Sequence, residues 1–576
     1  MKTFASAFVA GWFLVFAASV FAALPAPDAD DGGLALPPGF RAVVVADNLV
    51  PRFKSGALRF LTVAPNGDIY GKFYRNGLVA LRDTNGDGRA DVIEQFGSGN
   101  GTGVRVRGEW LYYSTTTGVY RYHYTPGELV PAGAPQTIVS GLPAGQQHDA
   151  KVFEFDGDGR LLVEVGSPYN VFSQPDRQFG AKGFSPEEVA KFQETYGGFW
   201  RFDANKTNQT QADGTHFSTG HRHCLALTWN PVSTNFFMCM MGRDNLNIID
   251  PDHYEALDNA ERDAEEFHLL KEGVNLGWPY SYWDPIKNAR MLCPEYGGDN
   301  HKRADNPAFD KPLIAFPAHW VPLQMCRYDG AQFPEKYRGG LFLAFHGSWN
   351  RAPRPQAGYK VVFIPFDAQG LPTGRYESFA EGFPGVEYFT NTRDAKYRPC
   401  GVAVGPDGSL YIGETERGRI WRVIYTGETN SVRSKNPFTV AAGQTYAAIN
   451  ADTPGGKFYA QVCAACHMPN GSGVPTMQPA LAGSKVVAGD TDRLINVLLR
   501  GPAAVLPPDR ERFSGAMPPF NILNDADLAS LINYLRANFA PAAPKVSAAQ
   551  VAAQRAQAGP NNPVPAKPAM LNTNWE

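Results

Sequence analysis

Cys463-Ala464-Ala465-Cys466-His467 is the stretch that most narrows what this 576-residue chain can fold into. Two thiols three positions apart, followed at once by an imidazole, let one turn hold a porphyrin through two thioethers while the histidine ligates its iron. With 7 Cys and 11 His in the chain, chance gives the pattern only about 0.002 times. A zinc site needs a second Cys/His pair and a thioredoxin-like site a redox βαβ setting, and neither surrounds this pentad. The reading is haem c, attached at Cys463 and Cys466 with iron on His467. Met raises the potential of such a haem, and Met517 is the expected sixth ligand, because Pro518 and Pro519 fix an extended loop behind it. Met468 and Met477 lie too near the attachment turn to reach the far face easily.

Phe458-Tyr459 and the run 525–539, with Leu528, Leu531, Ile532 and Leu535 on one face, read as the first and last helices of a small all-α domain. Residues 450–540 resemble class I cytochrome c domains. A haem only moves electrons, so the residues before it must say where they come from. The chain is 43% hydrophobic and 19% charged, enough for more than one core, and its formal net charge of −3 offers no footprint for nucleic acid. Lys2, an apolar stretch from Phe4 to Phe21 and the small-residue site at Val20-Phe21-Ala22 read as a secretory signal, 1–22, with an uncleaved anchor as the alternative. No later stretch has about 18 consecutive apolar residues, so no transmembrane segment is expected after cleavage. A periplasmic or secreted protein suits covalent haem attachment and permits disulfides. Outside the pentad stand Cys224, Cys239, Cys293, Cys326 and Cys400, an odd number, so at least one stays free or pairs elsewhere. Cys224 and Cys239 flank a candidate turn at Asn230-Pro231 and are able to face each other across a hairpin, although spacing leaves connectivity open.

From 35 to 425 short β-rich runs alternate with Gly, Asn, Asp and Pro. A strand, tight turn, strand phrase recurs at 63–70, 155–162 and 402–411, each with Asn-Gly or Asp-Gly at its centre, and further hairpins lie near 104–124, 225–241 and 340–365. These predict an all-β, six-bladed β-propeller. Ser185-Pro186-Glu187-Glu188 signals a short helix inserted between blades. Residues 426–449 read as a polar linker, and 541–576, rich in Ala, Pro and Gln, as a disordered or loosely packed tail.

Residues 83–94 match a calcium-loop template, with Asp83, Asn85, Asp87, Arg89 (through its backbone), Asp91 and a closing Glu94, between flanks that read as strands. The alternative is a solvated acidic turn. His148 precedes the strand 152–155 and is placed to face a propeller channel as a general base, against a surface or satisfied histidine.

His148 with Gly166-Ser167-Pro168-Tyr169-Asn170, Thr219-Gly220-His221-Arg222-His223, Gly273-Val274-Asn275-Leu276-Gly277-Trp278-Pro279-Tyr280, Phe345-His346-Gly347-Ser348-Trp349-Asn350-Arg351 and Lys396-Tyr397-Arg398-Pro399-Cys400-Gly401 occur in this order. Together they resemble the PQQ-dependent glucose/sorbosone dehydrogenase family, with the closest look to its L-sorbosone and pyranose dehydrogenase branch. The resemblance implies PQQ and Ca2+ over the channel and oxidation of a sugar or aldehyde. It implies His148 as base on the substrate hydroxyl and Arg222 beside the quinone oxygen, where a fixed cation stabilises developing charge. Arg398, with Lys396, would hold a PQQ carboxylate, a structural ion pair being the alternative for Arg398. His346, Asn350 and Arg351 would border the cofactor or substrate. His223 stands where the soluble glucose dehydrogenases have Asn, so quinone polarisation is expected to differ. Asp244, Asp263 and Glu265 are oxygen donors suited to the catalytic calcium.

The sequence thus reads as an exported quinohaemoprotein oxidoreductase that passes electrons to its own haem and on to a downstream acceptor. The rival readings are a propeller lactonase or esterase, to which a haem domain is useless, and a non-catalytic electron-relay or binding propeller.

Overall fold

Asn-Gly and Asp-Gly turns set the architecture because their glycines take left-handed angles that close a strand back on itself. Gly67 (φ 93°) joins strands Leu58–Val63 and Ile69–Phe73, Gly159 (φ 81°) joins Phe153–Phe155 and Leu161–Val165, and Gly408 (φ 84°) joins Pro399–Val404 and Leu410–Glu414. The computed structural model describes residues 24–427 and 450–558, apart from 146, 474–477, 508–512 and 514–516. The signal sequence, nearly all of the linker, Met477 and the chain after 558 lie outside the described residues.

Six four-stranded antiparallel sheets form the blades of a propeller. Their inner strands are Leu58–Val63, Val104–Arg107, Phe153–Phe155, Cys224–Asn230, Pro322–Arg327 and Pro399–Val404. The sixth blade is completed by the N-terminal strand Phe40–Ala46, which pairs with Ile420–Tyr425 and removes the open edge. Phe40, 3% exposed, sits among the rings of Phe333, Tyr337, Phe379 and Tyr425 and seals this closure. Register shifts recur where inner strands begin, at Leu58/Leu61, Cys224/Ala226, Pro322/Met325 and Pro399/Gly401. Such bulges re-aim side chains, here at one mouth of the channel.

Three expectations need correction. The helix Pro186–Gln193 is capped as expected, with Ser185 Oγ accepting from the Glu188 N–H and Glu188 Oε2 accepting from the Ser185 N–H. It is inserted within the third blade, between strands Leu161–Val165 and Gly198–Phe202, rather than between blades. Cys224 and Cys239 lie on neighbouring strands, but the register pairs Cys224 with Met240 and Cys239 with Ala226, and none of the five cysteines outside the pentad forms a disulfide. The chain after 540 is not loose throughout: Ala548–Ala558 is a helix whose Val551 is buried, tied down by Arg555 on Asp525 and Gln554 on Asn496. Its alanine-rich sequence favours helix, and Val551 supplies the contact that composition alone hides.

A small helical domain follows the propeller, built from Pro454–Phe458, Ala464–His467, Thr491–Arg500 and Asp525–Phe539. Leu528, Leu531, Ile532 and Leu535 are buried as the period predicts. The first helix crosses the last at Gly455, where an added Cβ would meet backbone of Ser530 and Leu531 at 2.3 Å. Among the described residues no helix is long and apolar enough to cross a membrane.

Candidate active site and haem-attachment turn

The residues singled out from sequence gather where the inner strands begin. His148, in left-handed backbone (φ 57°), hydrogen-bonds through Nδ1 to the Ser167 carbonyl at 2.8 Å. A carbonyl only accepts, so Nδ1 carries the proton and Nε2 keeps a free lone pair. Burial, then the charges of Arg222, His223 and Arg177, holds the imidazole well below its ordinary range, so it is a neutral acceptor near pH 7. Its ring stacks on His223, centroids 4.9 Å apart. His223 Nδ1 lies 3.1 Å from Glu164 Oε1, and Glu164 Oε2 is buried without a partner.

Arg222 is buried and fixed. Its Nε donates to the Asn170 carbonyl, and its terminal nitrogen donates to Asn170 Oδ1 at 3.0 Å and Asp244 Oδ2 at 2.8 Å. Asp244 also receives Asn350 Nδ2 at 2.6 Å and Arg177 at 2.9 Å, with His319 Nδ1 3.6 Å away. Burial would raise its carboxyl, yet Arg222 and Arg177 hold it well below the usual carboxylate range. Asp244 is therefore an ionised counter-charge to two guanidiniums.

Across the mouth Arg398 donates to the carbonyls of His346 (3.3 Å) and Gly347 (2.6 Å) and lies over the Tyr359 ring. Burial, with Arg398 and Arg59 beside it, keeps His346 neutral. Among the described residues, His346 Nε2, Arg59 Nε, Asn350 Oδ1 and Thr415 Oγ1 are buried and find no hydrogen-bond partner. Such orphans cost free energy unless a ligand satisfies them. Two guanidiniums, with the unpaired Arg59 Nε as donor, fit a polyanionic, carbonyl-bearing cofactor, and Asn350 Oδ1 offers an acceptor.

Other candidates go elsewhere. Lys396 is exposed, its Nζ 5.1 Å from the Tyr397 ring, and does not share the buried position of Arg398. Arg351 braces loops through the carbonyls of Pro355 and Ala318. Asp263 accepts the Arg243 N–H, and Glu265 accepts the N–H groups of Gly242 and Val321. Burial raises both acids, Glu265 to about 7. In the 83–94 loop Asp83 accepts N–H groups of Asn85, Gly86 and Gly88, Asn85 accepts that of Asp87, Asp87 that of Arg89, and Asp91 binds Thr84. Arg89 pairs with Asp28, and Glu94 is exposed in the strand Val92–Phe96. Among the described residues no three His, Cys, Asp or Glu side chains form a metal-holding group. The sequence reading missed Arg59, Asn170, Glu164, Arg177 and His319; Asn170 lies in a quoted motif, whereas the others carry no local signal.

In the helical domain His467 Nδ1 hydrogen-bonds to the Pro479 carbonyl at 2.9 Å, leaving Nε2 as the nitrogen able to ligate iron. Met517 packs against the core cluster that holds Cys463 and Tyr459. Met468 Sδ instead faces Gln356 Nε2 of the propeller at 3.9 Å. Asn247 Nδ2 donates to the Gln461 carbonyl at 3.0 Å, Ala352 packs into the helical core, and Arg177 and Asp244 are the charges felt at Cys466. The attachment turn thus sits on the loops that carry Asp244 and Asn350.

Comparison with known proteins agrees with this division. The cytochrome c family profile matches residues 453–538. A 125-residue stretch is 38% identical to the cytochrome c subunit of the quinone alcohol dehydrogenase of Gluconobacter oxydans, covering 20% of this chain and 26% of that protein. A 210-residue stretch is 32% identical to the pyrroloquinoline quinone-dependent pyranose dehydrogenase of Coprinopsis cinerea, covering 29% of this chain and 26% of that protein. The solved PQQ domain of the Coprinopsis pyranose dehydrogenase shares the fold, with a TM-score of 0.53 at 19% identity over 68% of this chain and 97% of that one. The chain spans less than two thirds of the length of the curated relatives it matches. The TrAA12-like profile matches residues 83–426, more than half of the sequence and nearly the whole propeller, and the chain belongs to the TrAA12-like family.

Proposed function

We propose that the chain is an exported PQQ-dependent sugar or aldehyde dehydrogenase that passes electrons to its own haem c. The observation that carries this reading is the seat of the Cys463–His467 turn against the propeller loops that carry Asn247, Ala352 and Gln356, next to Asp244 and Asn350. Oxidation of a C–OH group removes one proton and one hydride. His148 Nε2 takes the proton, with its orientation set by the Ser167 carbonyl. PQQ, when bound, supplies the hydride acceptor. Arg222 presents a fixed cation to the developing oxyanion, and Arg398 and Arg59 hold carboxylates. Cys463, Cys466, His467 and Met517 would hold the haem, and an external one-electron acceptor, such as a redox protein, takes each electron in turn.

The test is stopped-flow absorbance of the full chain carrying covalent haem, reconstituted with PQQ and Ca2+ and mixed with a panel of aldoses, sorbosone and simple aldehydes. At least one should reduce the haem, and only after PQQ is added. Haem reduction that is independent of PQQ, or haem that stays oxidised with every compound that reduces the quinone, overturns the reading.

A further inference from the structure

Arg177 follows Gln174-Pro175-Asp176 in a loop of the third blade and holds left-handed backbone (φ 58°). A non-glycine residue in that region is held there by its surroundings, and here the surroundings are its own hydrogen bonds. Its Nε and one terminal nitrogen donate to Gln147 Oε1 at 3.1 and 2.9 Å. The other donates to Asp244 Oδ2 at 2.9 Å and Asn245 Oδ1 at 3.1 Å. Gln147 precedes His148 and is held from its other end by Asp176 at 2.8 Å. Asp244 is the carboxylate that fixes Arg222, and Asn245 caps the helix Leu246–Ile249, whose Asn247 grips the helical domain at Gln461. One guanidinium, with 15% of its side chain exposed, therefore touches the neighbour of the base, the partner of the quinone-side arginine and the loop on which the haem turn rests.

The charge matters as much as the geometry. Arg177 and Asp244 form an ion pair 2.9 Å apart beside Asn245, at the start of the short helix whose Asn247 holds the Gln461 carbonyl just before the attachment turn. A cation beside a haem edge disfavours the oxidised, more positive iron and so raises the potential, whereas an unscreened Asp244 would do the reverse. Arg222 is also on Asp244, but its Nε and terminal nitrogen face Asn170, away from Gln147.

We propose that Arg177 is a positioning residue that couples the sugar-oxidising site to the haem, locking Gln147 and Asp244 in place under the Cys466 turn and keeping the haem potential high. This rests on the quinohaemoprotein reading above.

The test uses the full chain with covalent haem and the variants Arg177→Met and Arg177→Lys. Spectroelectrochemistry of the PQQ-free proteins reads the haem potential alone, and Arg177→Met should lie below wild type while Arg177→Lys, which keeps the charge, recovers most of the shift. After reconstitution, stopped-flow with a sugar active on wild type should show haem reduction slowed on the order of tenfold in Arg177→Met, the usual size of coupling between two sites, and slowed more than quinone reduction. Variants of wild-type circular dichroism and haem content that show an unshifted potential and an unchanged ratio of the two rates overturn the proposal. A wild-type haem that no quinone-reducing sugar reduces overturns the quinohaemoprotein reading, and the coupling with it. The potential comparison needs neither PQQ nor sugar, so the two failures are told apart.

Discussion

His148, the base in the proposed reaction, has a fixed tautomer and a fixed charge state. The Ser167 carbonyl fixes its tautomer, and burial among Arg222, His223 and Arg177 keeps it neutral. A base held this way stays unprotonated below the pH at which a free imidazole, with a pKa of about 6.5, would gain its proton. The acid limb of kcat/KM for sugar oxidation is therefore expected below the ordinary imidazole range, and a limb at or above that range would contradict the assignment. Replacing the base, His148→Gln, should slow substrate-driven quinone reduction by about 10² to 10⁴-fold, the usual contribution of a positioned base. The haem spectrum of that variant should match wild type. Quinone reduction at the wild-type rate would remove His148 from the chemistry. Its motif pointed to this residue, but its neutrality comes first from burial and then from Arg222, His223 and Arg177, all brought to it by the fold.

The 83–94 loop is the element whose sequence pattern fits two roles, an ion-binding loop and a self-bonded acidic turn. Its spacing of Asp83, Asn85, Asp87, Asp91 and Glu94 satisfies a calcium template. In the folded chain the same oxygens accept backbone N–H groups of the turn, and Glu94 belongs to a strand where its side chain alternates away. A side chain that bonds its own turn and one that binds an ion share the same short acidic spacing, so pattern alone does not separate them. Asp83→Ala should cost about 1 kcal/mol through lost hydrogen bonds, measured by urea unfolding, and the loss should be equal in Ca2+ and in EGTA. A loss present in Ca2+ and absent in EGTA would make the loop a calcium site. The hairpins centred on Gly67, Gly159 and Gly408 were readable because a turn glycine acts within four residues. The placement of the Pro186–Gln193 helix was not, since its capping box fixes where a helix starts and says nothing about which strands flank it.

At the scale of the molecule, ring closure is the feature that everything at the channel mouth depends on. The Phe40–Ala46 strand brings the start of the propeller to its last blade, and Phe40 packs rings from the fifth and sixth blades together. Phe40→Ala should destabilise the propeller by about 3–5 kcal/mol, the range for an aromatic lost from a packed core. Urea unfolding followed by tryptophan fluorescence reads this, with the haem absorbance midpoint as an internal reference for the helical domain. An unchanged fluorescence midpoint would mean that the ring is held without this strand.

What the sequence determined by itself was local. Five consecutive residues specify the haem turn, glycine dipeptides specify the hairpins, and the 3.6-residue period of Leu528, Leu531, Ile532 and Leu535 specifies the last core helix. The tertiary structure alone decided which charged residues meet. Arg59 and His346, or Arg177 and Asp244, stand far apart in the chain, 67 positions for the second pair, and come together only because blades close into a ring. The fold also decided that Arg398 is buried, held by the carbonyls of His346 and Gly347 from the neighbouring blade, while Lys396, two residues before it, stays at the surface. Which face a side chain takes is set by bulges and strand pairing between distant segments, and that information is not written in any short stretch of the chain.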